Sequence, residues 1–369
     1  MKKIIYTALS LCIIAICTTA CKKDKSTNNP IETKEMQIDA SFQTLALKTD
    51  NTLWACGDNS EGQLGDGTTI DRKSFVKIAD DIKAISAGIL HTLVLKTDNT
   101  LWACGDNEYG QLGDGTNIDR KNLVKIADGI KAICAGGVYT LVLKSDNSLW
   151  ACGDNAYGQL GDGTTIDKNS LVKIADGIQS IFAGDALTFV IKTDNSLWAC
   201  GSNSYGKLGD GTTINRKSLV KIADDIKSIS AGSAFTLFLK TDNSLWVCGS
   251  NTYGQLGDGT NVDKTSLVKI ADGIKTISAG STHTLVLKMD NSLWTCGNNT
   301  SGRLGDGTTI NRNTLVKISD DIKSIIAGAS HTLVLKTDNS LWSCGRNDDG
   351  QLGDGTTIQR NSLVPIILP

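Results

Sequence analysis

Proline and histidine are nearly missing from this chain. Its 369 residues contain three of each, and Phe, Trp and Tyr together make up only 5%. So little proline excludes collagen and proline-rich linkers. Three histidines leave little material for a zinc site or a His-based catalytic triad. There is no basic excess either, with 37 Lys and Arg against 39 Asp and Glu. Residues 1–37 hold six lysines and three acids, so the body from residue 38 onward is acidic. Affinity for nucleic acid comes mainly from Lys and Arg neutralising phosphates, so no nucleic-acid partner is expected. After residue 16 no apolar run is long enough to cross a ~30 Å hydrocarbon core. Glycine, by contrast, is frequent at 38, which favours many short strands joined by glycine turns.

The N-terminus reads as an address. Lys2 and Lys3 precede an apolar stretch from Ile4 to Ile16, and small residues Thr18, Thr19 and Ala20 lead into Cys21. A charged start, a short apolar core and small residues before a cleavage site make a secretory signal. The cysteine placed directly after the small residues resembles a bacterial lipoprotein signal, in which the exposed Cys carries the lipid. That resemblance implies lipidation at Cys21 and a place in the cell envelope, at the outer membrane or cell surface. Plain secretion is the alternative. Residues 22–37 are polar, without apolar periodicity, and read as a tether.

From residue 38 to 369 one unit is written seven times. Trp54, Trp102, Trp150, Trp198, Trp246, Trp294 and Trp342 are all the tryptophans, and every interval is 48 residues. In the second copy the pieces are Ile85–Gly88, His91–Lys96, Leu101–Gly105 and Leu123–Ile126, with Thr97-Asp98-Asn99-Thr100 between the second and third. Asp and Asn tolerate the positive φ of tight hairpin turns, so each unit supplies about four short strands. A four-stranded unit at this period predicts a seven-bladed β-propeller, because one blade cannot bury both of its apolar faces alone. The ends of the chain could share one blade or meet edge to edge.

The run Cys104-Gly105-Asp106-Asn107-Glu108-Tyr109-Gly110-Gln111-Leu112-Gly113-Asp114-Gly115 resembles the signature of the RCC1 (regulator of chromosome condensation) repeat family. The Ala-Gly-x-x-His-Thr-Leu strand matches it too. The resemblance covers residues 38–369 and implies a seven-bladed propeller. Cys56 and its equivalents stand where that family usually has Trp, and the usual Pro before the fourth strand is missing.

The repeated side chains read as structural. Asp66, Asp114, Asp162, Asp210, Asp258, Asp306 and Asp354 are single acids flanked by glycines, fitted to accept backbone N–H bonds rather than to gather round calcium. Cys56, Cys104, Cys152, Cys200, Cys248, Cys296 and Cys344, with the singleton Cys134, read as buried thiols, too far apart between blades for disulfides. His91, His283 and His331 share a position with Gln43, Tyr139, Leu187 and Phe235, which marks packing rather than catalysis. No catalytic residue, metal site or cofactor is expected.

Variation between copies points to function, because a ring of identical blades presents nothing asymmetric. The loop after Cys-Gly-x-Asn carries Glu61, Tyr109, Tyr157, Tyr205, Tyr253, Ser301 and Asp349. Four consecutive tyrosines form an arc on one side, and Tyr is a favoured interface anchor; a loop-packing Tyr is the alternative. The pairs Ile89-Leu90, Gly137-Val138, Asp185-Ala186 and Ser281-Thr282 would lie at one channel mouth, where their small, mostly uncharged character predicts no strongly polar ligand. The expected function is a monomeric, lipid-anchored scaffold binding a protein or glycan through loops on one face. A secreted enzyme inhibitor resembling propeller inhibitors of β-lactamase is the alternative. An exchange-factor activity, as the family name implies, is disfavoured by the export signal and by the constant spacing, which leaves no inserted wedge. An envelope ornament without a tight partner is the blandest account.

Overall fold

The computed structural model describes residues 37–41, 43–348, 352 and 354–366. The apolar leader, Cys21, residues 22–36 of the tether and Asp349 lie outside the described residues. Each four-stranded antiparallel sheet is made of four consecutive strands. Blade 1 is β1 (Gln37–Ala40), β2 (Gln43–Leu47), β3 (Leu53–Gly57) and β4 (Arg72–Ala79). Blade 2 is β5 (Ile82–Ala87), β6 (His91–Lys96), β7 (Leu101–Gly105) and β8 (Arg120–Ala127). Blades 3 to 7 repeat this pattern over 130–175, 178–224, 226–271, 274–319 and 322–366. The architecture is a seven-bladed β-propeller, and among the described residues each blade is made of consecutive strands, with none shared between the two ends of the chain.

Local chemistry explains the hairpin. Asn99 adopts φ 64° at the turn between β6 and β7. The Asp98 carboxylate accepts from the Thr100 amide and hydroxyl, and the Thr100 hydroxyl accepts from the Trp102 indole N–H at 2.8 Å. Lys96 Nζ sits 4.3 Å from the Trp102 ring centre, a cation–π contact repeated under all seven tryptophans.

Apolar side chains fill the space between blades. Leu45, Leu47 and Leu53 of blade 1 pack on Ile82, Ile85 and Val94 of blade 2, and five further clusters repeat this between successive blades. The β7-to-β8 loop and its copies add a clasp. The Gln63 carbonyl accepts from Thr92 Oγ1 at 2.7 Å and from Cys104 Sγ at 3.5 Å, both in blade 2. A Cβ on Gly65 would come within 2.9 Å of that sulfur, and Gly65 has φ 77°. Six bridges, from Asp66–Asn122 to Asp306–Ser362, tie each loop to the next blade's outer strand.

The seam between blade 7 and blade 1 differs from the others. Leu333, Leu335 and Leu341 are only half-buried, although their equivalents in blade 1, Leu45, Leu47 and Leu53, are at most 1% exposed. On the blade 1 side, Ala46 occupies the position of Val94, Val142, Val190, Phe238, Val286 and Val334.

Candidate functional site

Each long loop after the third strand is held by one asparagine. Asn107 Nδ2 donates to Asp114 Oδ1, Thr116 O and Ile118 O, while its Oδ1 accepts from the Leu112 amide. Asp114 is the hub. It accepts from the Thr116 amide and hydroxyl and from Arg120 Nε at 2.7 Å, with an ion pair to Arg120 at 2.6 Å. Burial works to raise the Asp114 pKa, and the Thr116 and Arg120 donors outweigh it and hold it below the ordinary carboxylate range. The sequence reading of these aspartates as loop staples is what the geometry shows; the basic partner six residues on was not anticipated. Among the described residues no group of three His, Cys, Asp or Glu side chains is placed to hold a metal.

The cysteine and histidine positions join neighbouring blades. Cys104, Cys152, Cys200, Cys248, Cys296 and Cys344 are buried free thiols beneath the preceding blade's loop, whereas Cys56 and Cys134 are half-buried. Burial pushes the Cys296 and Cys344 thiols up to about 12. His91 and His283 are fully buried, and burial pushes His91 down to about 4. His91 Nε2 lies 3.3 Å from Thr140 Oγ1 of the next blade, and Tyr139 donates at 2.6 Å to Leu187 O. Besides packing, this position pins blade to blade.

The loops that hold the tyrosine arc share one face with the channel mouth. The Asp106 amide donates to Leu90 O and the Ser202 amide to Ala186 O, joining the two kinds of loop within a blade. Around the mouth the Gly137 amide donates to Asp185 O, and the Ser233 amide to Ser281 O. Tyr109, Tyr157, Tyr205 and Tyr253 are 37%, 48%, 52% and 39% exposed on this face. Tyr205 is held at φ 63°, a backbone region that bulky residues rarely adopt. Glu61 is half-buried; burial raises its carboxyl, followed by the charges of Asp119, Asp106, Asp58 and Glu108.

Two features escaped the sequence reading. Ile70, Ile118, Ile166, Ile214, Val262, Ile310 and Ile358 stand 60–65% exposed on these same loops; an apolar residue kept in seven copies outside the strands was the available signal. The second is charge. Lys207 and Arg303, which replace the glutamine of the other copies, bring charge to the channel mouth from the neighbouring loops. Lys207 Nζ donates to Ser233 O and Arg303 Nη1 to Ala329 O. Asp185 beside Lys207 is pushed up to about 6 by burial.

These charges are sorted round the ring. The first loop position is Asp58, Asp106 and Asp154 in blades 1–3, then Ser202, Ser250, Asn298 and Arg346. The last is Asp71, Asp119 and Asp167, then Asn215, Asp263, Asn311 and Gln359. The charge is not needed for the loop: Asp119 Oδ1 accepts from the Asn107 amide at 2.8 Å, and Asn215 Oδ1 accepts from the Asn203 amide at the same distance.

The RCC1-like domain model matches residues 122–368, and RCC1 repeat models match 41–63, 82–111 and 98–143. Among solved structures the chain is similar to human WBSCR16, with 18% identity over 86% of this chain and 94% of that one, TM-score 0.73. It is similar to yeast RCC1 (Prp20) in the structure with Kap60, at 18% identity over 95% and 91%, TM-score 0.73. Saccharomyces cerevisiae Prp20p, described together with its binding to Gsp1p and histones, matches at 20% identity over 87% of each chain, TM-score 0.72. No curated protein matches the sequence.

Proposed function

The chain belongs to the RCC1-like domain family, and on that footing we propose that it is a non-catalytic scaffold that binds a protein through the face carrying Tyr109, Tyr157, Tyr205 and Tyr253. One observation carries this reading: the two faces differ in how they vary. On the opposite face the hairpins repeat with little change, as Thr-Asp-Asn-Thr, Ser-Asp-Asn-Ser or Thr-Asp-Asn-Ser, with Met289 opening the hairpin of blade 6 as the one apolar departure. A partner that lacks sevenfold symmetry needs an asymmetric surface, and the tyrosine face offers four exposed tyrosines with sorted charge. Exposed Tyr supplies contact area at low cost in side-chain entropy. The solved relatives share the fold at 18–20% identity, and their named partners belong to them.

The same reading places the scaffold in the cell envelope, carried by a lipid on Cys21 after signal cleavage. Lys2, Lys3, the apolar stretch Ile4–Ile16 and the small residues before Cys21 support it. Metabolic labelling with an alkyne fatty acid tests it: label on the wild-type chain and none on Cys21→Ser is expected, and equal labelling of both overturns it. The binding face is tested with the full chain and a variant carrying Ala at all four tyrosines, each used to capture partners from envelope extracts. Both should melt alike, and the variant should lose an enriched protein. Unchanged capture refutes the tyrosine face, and capture of glycan alone replaces the protein partner.

A further inference from the structure

Among the described residues Arg303 is a buried cation without a counter-charge. It is 6% exposed. Its guanidinium donates only to neutral oxygens, Thr282 Oγ1, Ala329 O and Thr300 Oγ1, at 3.3–3.5 Å, and its Nε has no partner. Removing a charge from water is costly unless an opposite charge meets it. Five other blades solve the same position with neutral Gln63, Gln111, Gln159, Gln255 and Gln351. The loop backbone does not require arginine either, since the carbonyl accepts from Thr332 as Gln63 O does from Thr92. Arg303 therefore introduces a charge that the fold does not use.

The surroundings are arranged to match. In blade 6 both loop aspartates are replaced, by Asn298 and Asn311, and in blade 7 the first becomes Arg346, which pairs with Asp348 of its own loop at 2.8 Å. Arg346 lies close enough to depress the Arg303 pKa, after burial, the larger effect. Blade 4 shows the same combination: Lys207 replaces glutamine, while Ser202 and Asn215 replace the aspartates. Lys207 is 5% exposed; among the described residues its one hydrogen bond is to Ser233 O at 3.4 Å, and unlike Arg303 it has a carboxylate nearby, that of Asp185, which works against the lowering of its pKa by burial. A continuous lip joins the two cations. Ser233 N donates to Ser281 O, and the next residue, Thr282, accepts from Arg303. The Ser281 hydroxyl on that lip is buried without a partner.

We propose that the channel lip over blades 4–7 is a docking site for an acidic segment of the protein partner, with Arg303 as the socket for one carboxylate and Lys207 as a second contact. Two cations set two blades apart along one lip suit an extended chain bearing spaced carboxylates better than a single small anion. The planar guanidinium matches a carboxylate in two-point geometry. Carboxylates on blades 1–3 would repel that segment and set its direction across the face.

The proposal rests on the reading of this face as the binding face, and its test is separable from that reading. The full chain is labelled with 15N-arginine, and the Nε–H signal that disappears in Arg303→Gln is followed. The probes are a blocked glutamate-rich decapeptide, its glutamine counterpart and inorganic phosphate. The glutamate peptide should shift the Arg303 signal saturably, with at least tenfold weaker binding to Arg303→Gln and a smaller loss in Lys207→Gln. The glutamine peptide should leave the signal in place. Each variant adopts a residue that five sibling blades carry, so neither should melt lower than the wild type. An unmoved signal, equal binding by Arg303→Gln, or phosphate binding as tightly as the peptide overturns the proposal. A concentration-dependent dimer in sedimentation that Arg303→Gln abolishes also overturns it, because a second copy would then fill the lip. If an envelope partner is captured equally by wild type and Arg303→Gln, the socket fails and the face stands. If the tyrosine variant loses no partner while the peptide still shifts Arg303, the face reading fails alone.

Discussion

At the residue scale, the loop aspartate and the inter-blade histidine define how the molecule answers to acid. Asp114 gathers its own loop's donors and Arg120 at a side chain that is 9% exposed. Asp114→Ala should destabilise the chain by about 2–3 kcal/mol, the scale expected for a charge-assisted network broken on one side. Urea melts would show this as a lowered midpoint with an unchanged slope. His91 works with the opposite charge and the same sign. Its folded pKa lies below its unfolded value of about 6.5, so between pH 6.5 and 4 the unfolded chain binds a proton that the folded one refuses. Stability is therefore full above pH 6.5 and falls as pH drops through that window. His91→Gln, which copies Gln43 of blade 1, should flatten this slope in melts at pH 7 and 5; an unchanged slope would show that His91 is not held neutral. The roles of Asp114 and Cys104 were legible in the sequence because each recurs alone, without a convergent ligand set. Arg120 was not, since an ion pair six residues apart depends on how the loop folds back.

At the element scale, the blade and its turns follow directly from the 48-residue period and the Asp-Asn hairpins. Asn99 and its equivalents take the positive φ that their residue type predicted. The clasp of each loop on the next blade was not readable, because Gln63 O meets Cys104 Sγ across 41 residues only after two sheets have packed. The closing seam is a comparable case. Six blades carry Val or Phe where blade 1 has Ala46, a difference visible in the alignment of copies, yet its meaning depends on knowing that Leu333, Leu335 and Leu341 of blade 7 are half-buried where the matching leucines of the other blades are covered. Ala46→Val should stabilise the chain by about 1 kcal/mol through added apolar burial. Amide exchange in 331–336 should also be faster than in His91–Lys96, since its flanking leucines are half-buried. Uniform exchange across all seven second strands would show a seam as tight as the rest.

At the scale of the whole molecule, a ring built from near-copies becomes a specific surface only where the copies diverge. Divergence is concentrated in loops of one face: four exposed tyrosines, carboxylates over blades 1–3, and cations at Lys207, Arg303 and Arg346. The tyrosine arc was readable from spacing alone. The sorted charge was also written in the sequence, but its weight came from burial, because a cation at the glutamine position looks unremarkable until it is found without a counter-ion. Site-specific photo-crosslinking tests the central claim most directly. A benzophenone side chain is placed on the full chain at Tyr157, on the variable face, or at Ser145, an exposed hairpin residue on the repeating face. The account predicts that one envelope protein is cross-linked from position 157 and none from 145. Cross-linking of the partner from 145 alone would contradict it.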